Sequence, residues 1–176
     1  LQAIHDQTQT GAGPSVIDLE EVGYSYGGGE LLTGITLRLA PGSFHFLTGP
    51  SGAGKTTFLK LCYGALVPTA GHVRLFNQDV RGLSRDGIAF ARRRIGVVHQ
   101  DCQFLDHLSL AENIALPLTV SGQDRLEAQA NLKELMGWVG LSDRMTALPP
   151  ELSGGERHRA ALARALILSP DVVLAD

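Results

Sequence analysis

The sequence predicts an α/β fold, and three patterns support this prediction. A glycine-rich octapeptide at residues 49–56 lies between a short apolar run and a segment with helical spacing. Between residues 16 and 39, apolar residues recur with a period of two, which is typical of two antiparallel strands. Residues 125–139 place apolar side chains near one face of a helix. We therefore expect one domain in which strands and helices surround the glycine-rich loop.

Composition narrows the function classes. The chain has 176 residues, 44% of them hydrophobic, which suits one substantial core. Lys and Arg total 15 against 18 acidic residues, so the net charge provides no general attraction for nucleic acid or anionic lipid. Cys62 and Cys102 lack metal-site spacing and lie among apolar residues, which indicates reduced thiols. No apolar run reaches the ~18 residues of a membrane span, so we expect a cytoplasmic chain whose membrane role requires a partner.

The N-terminal region divides near residue 15. Residues 1–15 are polar and rich in Gln, Thr and Gly, so burial cannot offset the entropy cost of ordering them, and we expect a flexible tail. One strand is predicted from Val16 to Tyr26, before a glycine turn, and a second from Leu32 to Leu39. These strands begin an antiparallel β layer in a domain that covers residues 16–176.

The first strand carries two tyrosines that could serve a ligand. Tyr24 and Tyr26 have the same parity, so both rings lie on one face of the strand. One ring is placed to stack on an adenine, and a role in packing is equally consistent with the periodicity. The spacing leaves both interpretations open.

The glycine-rich octapeptide matches the G-x-x-x-x-G-K-[ST] pattern of a phosphate-binding loop. Glycine lets the backbone turn its N–H groups toward a polyphosphate, and the start of the following helix faces the anion with its partial positive charge. We expect Lys55 to reach the β- and γ-phosphates and Thr56 to ligate Mg²⁺. A glycine turn that only precedes a helix is the alternative. The residues predicted to bind nucleotide here are Gly49, Pro50, Ser51, Gly52, Ala53, Gly54, Lys55, Thr56 and Thr57.

The middle of the chain alternates between helices and strands. A helix is predicted at residues 55–63, a strand at His72–Phe76, and a helix at residues 83–94 that ends in three arginines. We interpret these arginines as a solvated helix end that complements the helix dipole, rather than as a nucleic-acid contact. A buried strand follows at Ile95–Val98, and Gln100 comes after it, where ligands bind in open α/β sheets.

The second half contains another helix start that could face an anion. Residues 105–118 are apolar with Asn113 and Pro117 as interruptions, and we assign no element to them. The pentapeptide at residues 152–156, Leu-Ser-Gly-Gly-Glu, precedes a long Ala/Leu-rich helix, so a serine hydroxyl and free N–H groups are available there. An ordinary serine N-cap is the alternative. The chain ends with a strand at residues 172–175 that delivers the Asp176 carboxylate as a Mg²⁺ ligand.

In this order and spacing, the motifs resemble those of ABC-transporter ATPase subunits. Residues 49–56 are similar to Walker A, residues 152–156 to the signature sequence and residues 172–176 to Walker B. The resemblance covers about residues 16–176. It implies a P-loop NTPase fold with a RecA-like parallel sheet core, an N-terminal antiparallel β layer and a helical signature subdomain at about 101–160.

Within the family, four stretches are most similar to cell-division ATPases of the FtsE type: LTGPSGAGKTTFLKL, RRRIGVVHQD, ENIALPL and LSGGERHRAALARAL. Lipoprotein-release and macrolide-export ATPases share much of these sequences. The resemblance to FtsE implies an ATP-hydrolysing subunit that acts in bacterial cell division. Its implied partner is an integral membrane subunit of the FtsX type, which would hold the chain at the inner face of the plasma membrane.

The family resemblance also implies roles for individual residues. Tyr26 would stack on adenine, and Gln100 would contact Mg²⁺ or the attacking water, with the membrane partner docked near the Gln100 segment. The signature would bind the γ-phosphate of ATP held by another subunit, so that ATP buries two nucleotides in a head-to-tail homodimer. The implied signature contacts are Ser153, Gly154, Gly155 and Glu156, and the implied Mg²⁺ ligands are Thr56, Gln100 and Asp176.

Two departures from the family pattern are visible. Arg157 and His158 replace the two glutamines usual after the signature, which we expect to alter a surface but not phosphate binding. The family's catalytic Glu directly follows the Walker B Asp, and the switch His comes later, whereas this sequence stops at Asp176. We therefore expect the sequence to be a fragment with weak or absent ATP turnover.

Two other function classes use a phosphate-binding loop. DNA-repair and chromosome ATPases share similar signatures, but they separate the two motifs by coiled coils or zinc-binding insertions. Neither heptads nor cysteine pairs occur between Thr57 and Leu152. A small-molecule P-loop kinase would leave the signature pentapeptide unexplained.

Overall fold

The computed structural model describes residues 2–5, 15–123 and 125–176. These residues form two compact units, residues 1–92 and residues 93–176. The first unit contains the glycine-rich loop, and the second contains the signature pentapeptide.

The first unit is built on a four-stranded antiparallel sheet in the order β3 (Glu30–Leu39), β2 (Ile17–Ser25), β5 (Ala70–Leu75) and β6 (Gln78–Asp79). The central strand β2 lies between β3 and β5, and β6 forms one edge. The predicted antiparallel pair of strands between residues 16 and 39 is thus confirmed.

An irregularity in β2 explains why its buried residues do not keep one parity. Ile17, Leu19 and Val22 are all fully buried, although Val22 has the opposite parity from the other two. The pairing with β3 shifts between Leu19 and Val22, and Glu21 in this interval has a φ of +48°. One extra residue at a bulge turns Val22 back to the core face.

Two helices complete the first unit. Helix α1 (Lys55–Cys62) follows the glycine-rich loop and lies against β5, and helix α2 (Arg85–Arg93) follows the sheet. Arg92 near the end of α2 donates from Nε to the Tyr63 carbonyl at 3.1 Å and from Nη2 to the Gly64 carbonyl at 2.6 Å. Within the arginine triplet, Arg92 therefore binds the carbonyl end of α1 rather than only water.

The strand before the loop pairs with the N-terminal segment. Strand β4 (His45–Thr48) is antiparallel to β1 (Gln2–His5), with Gln2 opposite Thr48 and His5 opposite His45. Residues 2–5 of the predicted flexible tail thus pair as a strand with β4, a pairing that the sequence analysis did not include. The backbone groups of an edge strand favour pairing with any extended segment in reach, whatever the polarity of its side chains. The rest of the predicted tail, apart from Ser15, lies outside the described residues.

The second unit combines a parallel strand pair with helices. Strand β7 (Ile95–Val98) is parallel to β8 (Val172–Ala175), with Ile95 opposite Val172 and Val98 opposite Ala175. Among the described residues this pair represents the predicted parallel core, because β4 pairs with β1 instead. The elements of this unit are β7 (Ile95–Val98), α3 (Leu110–Ser121), α4 (Arg125–Trp138), short 3₁₀ turns at Ser142–Arg144 and Pro149–Glu151, α5 (Gly154–Leu166) and β8 (Val172–Ala175).

One apolar core joins the three helices of the second unit. Leu110 and Ile114 from α3, Met136 from α4 and Ala160 and Ala163 from α5 are completely buried in it. The two alanines leave room for the larger side chains of α3 and α4, which explains the Ala-rich face of α5. The helices of the predicted helical subdomain at about 101–160 thus lie in one unit with β7 and β8.

Helix α3 occupies a segment to which the sequence prediction assigned no element. Ser109 and Glu112 form a capping box at its start, and the helix continues through Pro117 to Ser121. The buried Asn113 side chain accepts from the Leu105 N–H at 2.8 Å and donates to the Leu105 and Leu108 carbonyls, each at 3.0 Å. Asn113 therefore organises the preceding loop from within the helix.

Candidate functional site

The glycine-rich loop connects β4 to α1 through backbone conformations that favour glycine. Gly52 has a φ of +78° and Gly54 a φ of +87°. A Cβ atom on Gly54 would also lie 2.8 Å from Cδ2 of the buried Leu32, whereas one on Gly52 would have no atom within 4 Å. Gly54 is therefore required both by its left-handed backbone and by the close approach of β3.

Lys55 places a positive charge inside this loop. Its Nζ atom donates to the Gly49 carbonyl at 2.8 Å and to the Pro50 carbonyl at 2.9 Å. An ammonium group has three donors, so a third remains for an incoming acceptor. The loop thus holds a cation at its centre, where the anionic oxygen of a phosphate would pair with the ammonium charge, as a neutral carbonyl does not.

The first turn of α1 leaves its backbone donors without a side-chain cap. Gly54 is the N-cap residue and provides no side-chain cap, and no acidic residue occurs in the first turn. Thr56 is exposed in this turn, whereas Thr57 is buried. The helix start is electropositive and carries an accessible hydroxyl, which suits a phosphate with a hydrated cation.

Tyr26 lies beside the start of α1. Its hydroxyl is 3.3 Å from the Thr57 hydroxyl, and its ring makes an edge-to-face contact with the ring of Tyr24, with centroids 4.8 Å apart. Tyr26 is 62% exposed, while Tyr24 is only partly exposed. Of the two tyrosines that the periodicity could not separate, Tyr26 has the greater ring area open for stacking on a base.

In the second unit, the ends of β7 and β8 bring two polar residues to one edge. The Asp176 N–H donates to the Val98 carbonyl at 3.0 Å, so the chain leaves both strands at the same level. Gln100 is exposed in the turn after β7, and Asp176 is exposed after β8. The carboxyl ends of these parallel strands thus place an amide and a carboxylate at one edge, where ligands bind in open α/β sheets.

The side-chain oxygens of Gln100 and Asp176 suit Mg²⁺ rather than a metal ion whose ligands all come from the protein. Mg²⁺ prefers oxygen ligands and keeps several waters or substrate phosphates in its shell. Among the residues that the structure describes, no group of three or more His, Cys, Asp or Glu could hold a metal ion. A cation at this edge would have the Gln100 amide oxygen and the Asp176 carboxylate, and it would complete its shell with water or with the ligand itself.

The signature pentapeptide forms the start of α5, and its Ser-Gly-Gly part is exposed. Ser153 is the N-cap residue, and its hydroxyl and its N–H both donate to Oε2 of Glu156, at 2.7 Å and 2.8 Å. The Glu156 N–H donates back to the Ser153 hydroxyl oxygen at 3.3 Å. These hydrogen bonds complete a capping box, so the serine hydroxyl already has partners within its own chain.

Glu156 carries a negative charge at this helix start. The hydrogen bonds from Ser153 lower the pKa of Glu156, and the Arg144 guanidinium, with Nε 3.1 Å from Oε1, lowers it further. An anion that approached Ser153 would have to displace the Glu156 carboxylate from the hydroxyl. The Ser-x-x-Glu spacing could have indicated this cap in the sequence, but the sequence analysis considered only Ser153 as the N-cap.

The predicted site residues thus form three local groups. Tyr26, the loop and the first turn of α1 lie together in the first unit. Gln100 and Asp176 share a strand edge in the second unit, and residues 153–156 start α5. One residue that the sequence analysis missed is Arg164, which binds the backbone just after Gln100. Its contact joins residues far apart in sequence, so no local pattern marks it.

Comparison with known sequences gives one family. The sequence profile described as "ABC transporter" matches residues 32–176. The cell-division ATP-binding protein FtsE of Bacillus subtilis is 38% identical over 162 residues, which are 92% of this chain and 71% of the relative. The lipoprotein-releasing ATP-binding protein LolD 1 of Rhodopirellula baltica is 43% identical over 147 residues, 83% of this chain and 64% of the relative.

Solved structures give the same fold. A dimeric bacterial ABC transporter cassette, MJ0796, has a TM-score of 0.80 at 32% identity, covering 91% of this chain and 73% of that one. The Clostridium perfringens cbiO1 protein, part of an ABC transporter complex, has a TM-score of 0.79 at 25% identity, covering 93% of this chain and 66% of that one. The predicted ABC-type α/β fold is confirmed, and the chain spans about two thirds of the length of several relatives. In the described part of the chain, no helix is both long and apolar enough to cross a membrane.

Proposed function

The chain belongs to the ABC transporter ATP-binding family, and from this premise we propose that it is the ATP-binding part of an FtsE-FtsX-type complex that hydrolyses ATP in bacterial cell division. One observation carries the nucleotide assignment: the loop at residues 49–54 holds the Lys55 ammonium against an uncapped helix start. A polyphosphate is the ligand whose charge and size use all of these donors.

Different residues around the loop are proposed to bind the phosphates, the adenine and Mg²⁺. The backbone of residues 49–57 and Lys55 hold the phosphates, and Tyr26 stacks on the adenine. The oxygens that we propose for Mg²⁺ are those of Thr56, Gln100 and Asp176. When bound, Mg²⁺ neutralises charge on the β- and γ-phosphates and so favours attack by water. Gln100 orients that water by hydrogen bonding through its amide.

The signature is proposed to act on a nucleotide held by a second copy of the chain. Residues 153–156 are exposed or partly exposed at the N-terminus of a thirteen-residue helix, which suits an anion from outside the chain. The related cassette MJ0796 is described as a dimer, and one of its structures is described as a post-hydrolysis state with ADP and phosphate bound. We propose the same head-to-tail arrangement for this chain, closed by ATP.

A lipoprotein-release role is the second candidate. The LolD relatives are 41% and 43% identical to this chain, and the FtsE relatives are 38% and 41% identical, so the two ranges overlap. Both candidates share ATP binding and a membrane partner. They differ in the membrane subunit that the chain engages.

Two measurements test this proposal. Calorimetric titration with a non-hydrolysable ATP analogue and Mg²⁺ should give saturable binding that inorganic triphosphate weakens by competition. Co-purification should then retain the chain on the FtsX-type membrane subunit of the same genome and not on its lipoprotein-release subunits. Retention only on the latter would replace the cell-division role with the second candidate, and absence of analogue binding would remove the ATPase proposal.

A further inference from the structure

The turn that follows Gln100 has a strained backbone. Cys102 has a φ of +59° and Gln103 a φ of +40°, so two consecutive residues with side chains lie in the left-handed region. Residues with a Cβ atom adopt this conformation at a cost, and they keep it only where their surroundings hold them there. The contacts around this turn should therefore include the group that holds it.

Arg164, on helix α5, makes those contacts. Its Nη1 atom donates to the Gln103 carbonyl at 2.8 Å, and its Nη2 atom donates to the Cys102 carbonyl. Its guanidinium carbon lies 4.8 Å from the ring centroid of Phe104. One rigid fork thus holds two consecutive carbonyls and stacks on the residue that follows, a geometry that a lysine ammonium cannot reproduce.

The same turn determines where Gln100 lies. The Cys102 N–H donates to the His99 carbonyl at 2.9 Å, which closes a turn with Gln100 and Asp101 at its tip. The Cys102 residue is only 2% exposed, so it fixes the turn to the protein interior. A change in the backbone at Cys102 and Gln103 therefore changes the position of Gln100.

We propose that Arg164 is a positioning residue that holds Gln100 in place and ties it to the helix that begins with the signature. The proposal rests on the proposed function only for the role of Gln100 toward Mg²⁺ and water. Because α5 begins at the exposed signature residues, a displacement of this helix on dimer closure would move the Gln100 turn with it. Arg164 would thus link the signature of one chain to the water-orienting residue of the same chain.

Arg157 provides a matched control on the same helix. Its guanidinium carbon lies 5.8 Å from the same Phe104 ring, but its Nη1 atom donates to the Pro149 carbonyl rather than to the Gln100 turn. Arg157→Lys replaces a guanidinium and its contact with Phe104 on the same helix, just as Arg164→Lys does. Arg157→Lys leaves the two carbonyls of the turn with their partner.

Thiol labelling of Cys102 tests the structural part of the proposal. The experiment uses a Cys62→Ala background, although the buried Cys62, with its pKa raised to about 12, should itself react slowly. Arg164→Lys and Arg164→Ala should each speed labelling about tenfold or more, the equivalent of one charge-assisted hydrogen bond. Arg157→Lys should leave the rate unchanged. Equal rates in the Arg164 variants and the parent would overturn the proposal.

The Mg²⁺ dependence of nucleotide binding tests the functional part. Arg164→Lys should reduce severalfold the gain in ATP-analogue affinity that Mg²⁺ provides, and this reduction should vanish in a Gln100→Ala background. An equal loss with and without Mg²⁺, or a loss that persists beside Gln100→Ala, would show a general structural effect and contradict the proposal. If the parent chain bound no analogue, the proposed function would fail, and the labelling result would still decide whether Arg164 holds the turn.

Discussion

The two helix starts assigned to phosphate binding are built in opposite ways. Helix α1 begins at a glycine with no side-chain cap, has no acid in its first turn and carries the Lys55 ammonium. Helix α5 begins at Ser153, whose hydroxyl and N–H are both bound to the Glu156 carboxylate. The start of α1 is therefore accessible to an anion in a single copy of the chain. The start of α5 is already bound to the carboxylate of Glu156.

This difference suggests an order of events. A nucleotide can bind the α1 loop without displacing any acidic group. At α5, a phosphate would have to compete with Glu156 for the Ser153 hydroxyl, so the proposed binding at the signature would require a phosphate that is already well placed. Helix α3 begins with the same Ser-x-x-Glu capping box at Ser109 and Glu112, so this cap also occurs at a helix start without the Gly-Gly of the signature.

The largest expected effect is the loss of ATP-analogue affinity when the positive charge at the start of α1 is removed. Lys55→Ala should weaken binding of the ATP analogue by about 1.5–3 kcal/mol, because it removes a charge-assisted contact to the phosphates. Isothermal titration with Mg²⁺ measures this loss. Lys60→Ala, which removes the same charge from the last turn of α1, is the control and should change affinity little. Equal affinities for Lys55→Ala and the unaltered chain would remove Lys55 from the site.

The next largest expected effect is a loss of stability when a glycine in the loop before α1 is replaced by alanine. Gly54→Ala should lower the free energy of unfolding by about 1–3 kcal/mol, because the alanine would be held at positive φ with its Cβ against Leu32. Gly52→Ala imposes the same backbone strain without the contact, so it should cost about 1 kcal/mol. Urea denaturation followed by circular dichroism measures both. A larger loss for Gly52→Ala would contradict the role of Leu32.

A smaller effect compares the two capping boxes. Ser153→Ala and Ser109→Ala should each reduce stability by about 1 kcal/mol, since each removes an N-cap side chain. Only Ser153→Ala should also weaken ATP-dependent dimer formation, measured by analytical ultracentrifugation with the analogue. If Ser109→Ala weakened the dimer equally, the effect at Ser153 would be attributable to helix stability alone.

The smallest expected effect is the pH dependence of the stability that the Glu156 carboxylate gives to the start of α5. The hydrogen bonds from Ser153 lower the pKa of Glu156 in the folded chain. The stabilisation by its carboxylate is therefore fully present above the unfolded glutamate pKa of ~4.3 and is lost as the pH falls through the lower folded value. Glu156→Gln should flatten the stability profile below that pH and leave the profile near neutrality parallel to that of the parent. If the stability profile below this pH were the same in Glu156→Gln as in the parent, Glu156 would not be the source of the pH dependence.

The sequence predicted those features that depend on local pattern. The loop, the alternation in β2 and β3 and the amphipathic α4 all follow from spacing within a short window. Helix α3 was missed because Asn113 and Pro117 are poor helix formers by propensity. The structure uses Asn113 to bind the preceding loop, and Pro117 lies inside the helix although it cannot donate the usual backbone hydrogen bond.

Other features depend on contacts between distant parts of the chain. The pairing of Gln2–His5 with β4 and the hold of Arg164 on the Gln100 turn join residues about forty to sixty positions apart, so no local window contains them. The bulge near Glu21 depends on how the neighbouring strands pair with β2. For the site, sequence motifs named the loop and the signature, but only the structure showed that Glu156 occupies the Ser153 hydroxyl.

A mixing experiment tests most directly whether each nucleotide is shared between two copies. Lys55→Ala disables the loop, and Ser153→Arg places a bulky side chain at the signature. Analytical ultracentrifugation with Mg²⁺ and the ATP analogue should show monomers for each variant alone. Mixed, the two should form a heterodimer with one bound nucleotide, because the intact loop of one chain meets the intact signature of the other. If the mixture stays monomeric while the unaltered chain dimerises, the two helix starts do not act in one shared site, and the account is wrong.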